Sequence, residues 1–544
     1  MKSIVTVTTF VISAGWLAFI ASESVFAQDA DTLDVAQGFE TLNLAVEGDT
    51  TATGEPKNLN RVYRLERGGY YLLNGEVRGL VGVTLRVVAA KGDGPMPILI
   101  PAVDETGAAM KAFRPRGDGM FKGLYVSGID NLGNQAEKNM FRCDGTGAHI
   151  FIDDCFLDHD AQSFLRMNAK EQKLYVTNSI MRNSILLADP SNGRFIDTRG
   201  NIQDSIFVQN CTFYMNGNEP VRDGGGIIKN VIWDHVTFYQ CGGPIQIDRT
   251  ITTKITNCLF VDVGFEGDEI PSDSVAALAD SLRNQIIPID TLAAPDLATE
   301  EQRNILIKNN VYGWTPEVLA YINSIDTIHV WVWHNVRTQR FIDVFPNMVS
   351  ENNIEEYPVF LDPPDPNVIV TYARYRRETN FSNEGNPDPR ADRNGMAALV
   401  DDPASVGPAP NEYNFDYLTS SQAYAHAEGG FPIGDLNWFP DKKAEWEAWI
   451  KTGVDFGENR DVPSRFSLKQ NYPNPFNPAT TISYQLNSQS VVQLAVYNSL
   501  GQKISTLIND KRQQAGDYSV QWDGMDDSGR QVASGVYIYR LDAN

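Results

Sequence analysis

The chain is poor in the residues that build metal sites and disulfide frameworks. It has six histidines and five cysteines in 544 residues. No CxxC or HxxxH spacing occurs among them, which argues against zinc. Five thiols cannot all pair with each other, so a complete disulfide framework is excluded. After residue 27 no apolar run is long enough to cross a bilayer. Helix-length amphipathic segments are missing between the strand-like stretches, which argues against a doubly wound sheet or a β/α barrel. Positive charge is also short: 45 Lys and Arg stand against 69 Asp and Glu, a formal charge of −24. Such a body is a poor partner for nucleic acid or anionic lipid. It disfavours polyanions too, unless basic groups are gathered locally. The last 81 residues hold seven basic and six acidic side chains, so the acidity belongs to the remainder.

What the chain does contain is a recurring phrase. It reads Ile152-Asp-Asp154-Cys-Phe-Leu157, Val176-Thr-Asn178-Ser-Ile-Met181 and Val208-Gln-Asn210-Cys-Thr-Phe213. It continues as Trp233-Asp-His235-Val-Thr-Phe238, Ile255-Thr-Asn257-Cys-Leu-Phe260 and Ile307-Lys-Asn309-Asn-Val-Tyr312. The third slots follow one another at 24, 32, 25, 22 and 52 residues. A period in the twenties marks stacked supersecondary units. Each phrase alternates apolar and polar and is rich in β-branched and aromatic residues, as strands are. The reading is an all-β fold, a parallel β-solenoid with one turn per phrase. In such a coil one slot stacks on itself every ~4.8 Å, so an amide ladder is expected along Asn178, Asn210, Asn257 and Asn309. Cys155, Cys211 and Cys258 share the next slot, where buried free thiols need no partner.

These phrases resemble the right-handed parallel β-helix of the pectate-lyase-like superfamily, over roughly residues 61–360. The resemblance implies the fold and is silent about the reaction. Opening coils are expected from Arg61 to Ile100. Asn257 to Asn309 contains an insertion at 264–303 with a short helix at 273–283, either a binding-face loop or a solubilising flap. Ile328 to Trp333 and Arg340 to Val344 read as further strands.

The ends of the chain read differently. Lys2, an apolar stretch from Ile4 to Ile20 and Val25-Phe26-Ala27 form a secretory signal with cleavage before Gln28. Residues 28–60 read as a mobile acidic leader. Residues 361–457 read as a loop-rich extension, ending in a helix at 441–450 whose Trp446, Trp449 and Ile450 form one stripe. That helix is expected to cap the open end of the solenoid. A linker at 458–464 leads to short alternating strands, the pattern of a small β-sandwich at 465–544. This last part, from Tyr472-Pro-Asn-Pro-Phe-Asn-Pro478 to Ala533-Ser-Gly-Val-Tyr537, resembles the C-terminal sorting domain of the type IX secretion system. The resemblance implies that secretion machinery as a partner, and release or attachment at the cell surface.

A second strand precedes each phrase: Met140-Phe-Arg142, Phe164-Leu-Arg166, Phe195-Ile-Asp197, Pro220-Val-Arg222 and Gln246-Ile-Asp248. Strict alternation would point Phe141, Leu165, Ile196, Val221 and Ile247 inward. Met140, Phe164 and Phe195 would then face outward beside Arg142, Arg166, Asp197, Arg222 and Asp248. Outward aromatics beside charges suit a groove for polysaccharide. Alternatively the charges simply pair between turns. The lyases of that superfamily resemble one another in using an Arg or Lys base, with calcium or another cation neutralising the uronate; a lyase acting on a uronic-acid polymer is therefore the further expectation here, with calcium as an optional ion, no other cofactor required and no metal ligand assigned. The superfamily's hydrolases carry paired Asp residues and a Gly-His-Gly phrase; here Gly145-Thr-Gly147 lacks the His. Arg166, Asp197 and Arg222 are the catalytic candidates, with none assigned. The alternative function is a non-catalytic structural or adhesive surface protein. A monomer without a spanning segment after signal removal is expected.

Overall fold

A computed structural model describes 31–102, 112–135, 139–189, 192–269, 284–325, 328–379, 385, 387–390 and 413–452 of one compact unit. In a second unit it describes 467–468, 471, 479–486, 490–498, 502–513, 516–532 and 537–543. The signal at 1–27, the insertion helix at 273–283, the linker, the Tyr472–Pro478 phrase and residues 533–536 lie outside the described residues.

The first unit is a parallel β-solenoid. Twenty strands form one long sheet and six form another, and every pairing in both is parallel. One turn is built from His149–Asp153, Phe156–Asp160 and Ser163–Met167; the next from Lys173–Thr177, Ile180–Ser184 and Arg194–Asp197. Ile152, Val176, Val208, Trp233, Ile255 and Ile307 stand over one another in register. Their side chains are buried, so the sequence period becomes a continuous core.

The recurring third slot has a backbone reason. Asp154, Asn178, Asn210, His235, Asn257 and Asn309 have φ of 52°, 50°, 50°, 55°, 58° and 55°. This left-handed bend joins the first strand of each turn to the second, and Asn and Asp tolerate it best among residues with a side chain. Amide-to-amide bonding is a smaller part of the explanation. Asn352 donates to Asn309 at 2.6 Å, but Asn178 and Asn257 donate to the carboxylates of Asp153 (2.9 Å) and Asp234 (2.7 Å). All five cysteines are free and buried, and burial raises their thiol pKa values.

Several expectations change. The supposed leader is ordered from residue 31. Thr32–Val35 pairs with Val62–Leu65, and Gly38–Phe39 pairs with Tyr70–Leu73. Helix α1 (Thr41–Gly48) packs Leu42 and Val46 on the core beside these turns. Helix α2 (Pro316–Asn323) follows Val311–Gly313. Arg340 to Val344 is not a strand but the end of helix α3 (Val336–Val344). Asn335 caps it, its side chain accepting from Arg337 N and Thr338 N. The stretch after Asp362 is not all loop, because helix α4 spans Pro366–Glu378. Asp365 at its N-cap and Pro366 in its first turn are sequence signals for that start.

The last helix, α5 (Pro440–Thr452), is present but does not cap an end. Residues 426–443 run lengthwise along the column of bends. His426 Nε2 lies 2.8 Å from Asn352 O, Gly434 N donates to Asn257 O at 2.8 Å, and Asn437 Nδ2 to Asn210 O at 2.8 Å. Lys443 Nζ then reaches Asn178 Oδ1 at 2.7 Å. Later strap residues meet earlier turns, so the strap ties successive turns together.

Among its described residues the second unit has two three-stranded antiparallel sheets. Ile482, Tyr484 and Leu486 from one meet Val492, Leu494 and Leu541 from the other in a separate core.

Candidate functional site

The six-stranded sheet forms the third side of the solenoid, and its outward column is the candidate site. Register places Arg78 beside Arg114, Phe113 beside Phe141, and Arg142 beside Arg166. Arg166 then stands beside Asp197, and Asp197 beside Arg222. Phe141, Leu165, Ile196 and Val221 face the core between them. The predicted charge column therefore exists from Arg142 to Arg222 and extends through two earlier arginines.

Two parts of the expectation are corrected. Phe164 and Phe195 do not face solvent; both are completely buried, and Met140 is 3% exposed. Phe195 N and Ile196 N both donate to Pro220 O, at 2.8 and 3.2 Å, so the chain bends there and alternation fails. Phe195 thereby turns inward onto Phe213, with ring centroids 5.2 Å apart, and Phe164 stacks beside it. Asp248 is also out of line. Arg222 bridges Gln246, two residues earlier, while Asp248 is buried. Pro244-Ile245-Gln246 matches Pro220-Val221-Arg222, a signal that would have given the register.

Three carboxylates organise the guanidinium groups: Glu76, which receives Arg78 at 3.0 Å and Arg114 at 3.3 Å, Asp144 and Asp197. Asp144 receives Arg114 Nε at 2.6 Å, Arg142 Nε at 3.1 Å and Asn168 Nδ2 at 2.9 Å. Burial pushes the Asp144 carboxyl up, but these bonds outweigh it and hold it below its ordinary value. Asp197, fully buried, receives Arg222 at 3.3 and 3.4 Å and Arg199 at 3.5 Å. Arg166 lies between these clamps. Its only side-chain hydrogen bond among the described residues is a 3.5 Å contact to Gln162, and its buried Nε has none. Burial first, then the nearby Arg199 and Arg142, lower its pKa. The site can therefore receive an anionic oxygen at Arg166, where a guanidinium charge is not yet answered.

A family model for the FlgD Ig-like domain matches residues 475–544. The match lies wholly in the second unit and agrees with its two-sheet sandwich, so the chain is an all-β solenoid followed by a small Ig-like domain. No curated protein matches the chain. Among the described residues no three His, Cys, Asp or Glu side chains cluster to hold a metal, and no helix is long and apolar enough to cross a membrane.

Sequence reasoning missed Arg78, Arg114 and Arg199. The first two were legible: Val77-Arg78 and Phe113-Arg114 repeat the apolar–Arg pair of Phe141-Arg142, Leu165-Arg166 and Val221-Arg222. Arg199 was not, because it comes from the following bend, at φ 58°, rather than from the strand.

Proposed function

We propose that the protein is a secreted or surface-displayed polysaccharide binder whose third sheet holds an acidic glycan along the arginine column. The observation that carries this reading is the local reversal of charge. Five arginines, Arg78, Arg114, Arg142, Arg166 and Arg222, share one line on a chain of formal charge −24. Arg166 at its centre lacks a carboxylate partner among the described residues. Turns repeat every ~4.8 Å, so a chain lying along the column would meet similar donors at each step. The test is binding to uronic-acid polymers and neutral glycans. Arg166→Ala and Arg142→Ala should each weaken the acidic polymer at least tenfold, with affinity falling as salt rises. Binding to no glycan ends the proposal.

Lyase activity is the narrower form of this reading. The lowered Arg166 pKa is in the direction a β-eliminating base requires, and Asp197 and Arg222 remain candidates beside it. Release of unsaturated uronate, read by absorbance, tests it; binding without turnover leaves a binding protein. The alternative, a non-catalytic structural or adhesive protein, draws on a specific observation: Asp144 and Asp197 already occupy four of the guanidinium groups. The export route is likewise our reading, supported by the signal-like start and the Tyr472-to-Tyr537 phrases. Fusing 465–544 to a passenger in a type IX secreting cell tests it, with periplasmic retention as the negative result.

A further inference from the structure

The bend after Arg222 buries two carboxyl groups together. Asp223 is fully buried and Asp248 is 2% exposed. Asp223 N donates to Gln246 O at 3.0 Å, which sets the two carboxyl groups on neighbouring turns, where the Asp248 charge helps raise the Asp223 carboxyl. Asp223 Oδ1 accepts Gly225 N at 2.8 Å, but Asp223 Oδ2 and Asp248 Oδ1 have no donor among the described residues. Of the surrounding cations, Arg249 alone is shared with the pair, and its charge lowers both carboxyls less than burial raises them. Arg222 and Arg199 hold Asp197, Arg337 pairs with Asp290, and Arg249 stands 3.9 Å from Asp248 and 3.5 Å from Asp290. Arg303, fully buried, donates to the carbonyls of Thr250 (2.7 Å), Asp290 (2.6 Å) and Asp248 (3.0 Å), and to Glu300 (2.7 Å). Two carboxylates so close in a dry site cannot both ionise without large repulsion, so one proton is retained between them.

Their surroundings show what the pair controls. The far arm of the insertion packs directly on Asp248. Ile245 N donates to Ile286 O at 3.1 Å, Asp290 N donates to Asp248 O at 3.0 Å, and Ile286, Ile287 and Ile289 enter the core. We infer that Asp223 and Asp248 form a proton-dependent latch that holds the arm at 284–303 against the third side, next to the Arg222 end of the column. This stands whether or not the column binds a glycan.

The direction of the pH effect follows from the groups facing the arm. Burial first, then the charge of Asp248, raise the Asp223 carboxyl from 3.8 to about 8. The latch is fully effective below pH 3.8, weakens as pH rises, and reaches its floor near 8. His334 acts oppositely from α3's side. Its Nδ1 lies 3.1 Å from Ile287 O and its Nε2 2.8 Å from Ser350 Oγ. Burial lowers its pKa from 6.5 to about 4, so acid loosens the arm through that range. In Asp290 burial raises the pKa, but Arg337 and Arg249 lower it below 3.8, so its own loss comes only in stronger acid. The interval from pH 6.5 to 8 therefore belongs to the carboxyl pair.

Hydrogen exchange on the full-length protein, corrected for intrinsic rates, reads the arm directly. Protection at 284–290 should fall about tenfold or more between pH 6.5 and 8, while the strands at 149–184 stay unchanged. Asp223→Asn supplies an amide N–H in place of the proton. It should remove the pH dependence and leave the arm at least as protected as wild type at pH 8; Asp248→Asn is the second variant. No change in the wild type, or an equal fall in both variants, overturns the latch.

Discussion

The solenoid contains two columns of left-handed bends, five residues apart on every turn they share. The first runs through Asp154, Asn178, Asn210, His235 and Asn257; the second through His159, Asn183, Met215, Gln240 and Asp262. Their φ values are nearly the same, 50–58° in the first and 54–62° in the second. Their chemistry is not. The first column draws on Asn, Asp and one His, and a strap of the same chain bonds to it. The second keeps His159, Asn183 and Asp262 but accepts Met215 and Gln240; its members are all 2% exposed or less, whereas Asp154 and Asn178 of the first are half-buried. The difference shows that a strained backbone selects its residue only where little else fixes the bend. Where core packing already determines the backbone, a side chain is chosen for what it fills, and the ~1–2 kcal/mol cost of the left-handed bend is tolerated.

The largest test of that contrast is at Met215. Its side chain is completely buried in the core. Met215→Ala should cost about 2–5 kcal/mol through the lost contacts and the cavity. Met215→Gly should recover only the ~1–2 kcal/mol of bend strain, so it remains well below wild type in chemical denaturation of the full chain. If Met215→Gly matches wild type, backbone strain governs both columns and the distinction fails.

Asn178 should show the reverse balance. Its amide serves the bend, Asp153 and Lys443. Asn178→Ala loses bend tolerance (~1–2 kcal/mol) and two part-buried hydrogen bonds to charged groups (~0.5–1 kcal/mol each at this half-buried edge), roughly 2–4 kcal/mol in all. Asn178→Gly should recover most of the backbone part. Equal losses for Ala and Gly would place the whole effect in the side-chain bonds.

This contrast also explains what could be read from the chain. Asn178, Asn210 and Asn257 were visible because one backbone requirement selected one residue type. The second column hides because Met215 and Gln240 interrupt His159, Asn183 and Asp262, so the shared conformation leaves no single residue type to read. Strand alternation located Arg142, Arg166, Asp197 and Arg222, since each follows an inward apolar residue. It failed at Phe195, where a single carbonyl takes two N–H groups and the chain bends. The ordering of 31–60 rests on a few buried side chains such as Leu42 and Val46, too sparse to form a pattern. The strap was illegible because its partners are backbone carbonyls and bend amides that lie far away in sequence.

The strap provides a test by pH. Asp435 is buried, accepts Thr212 Oγ1 at 2.8 Å, and receives Asn437 N at 2.9 Å. Burial is the main cause that raises its carboxyl from 3.8 to about 6. Its contribution is therefore full below pH 3.8 and is lost as pH rises toward 6. Wild type should lose roughly 1–3 kcal/mol relative to Asp435→Asn over that interval, read as the difference between their denaturation midpoints at pH 4 and pH 6. Parallel pH profiles would mean that burial of the Asp435 carboxyl in the strap is not linked to the solenoid's stability.

The smallest expected effect sharpens the comparison most. His235 occupies the Asn slot of the first column at φ 55°, yet it is completely buried and its ring meets Trp446 at 5.2 Å. It is a first-column residue by position and a second-column residue by packing. His235→Asn should relieve the bend while losing the ring contact, which is worth about 0.5–1.5 kcal/mol. The net change in solenoid stability should then stay within about 1 kcal/mol. The two terms separate by readout: the denaturation midpoint barely moves, while Trp446 loses its ring partner and its emission shifts to longer wavelength. A large loss of stability without that shift would mean that His235 is held by the core alone, and that position along the column does not decide which term governs.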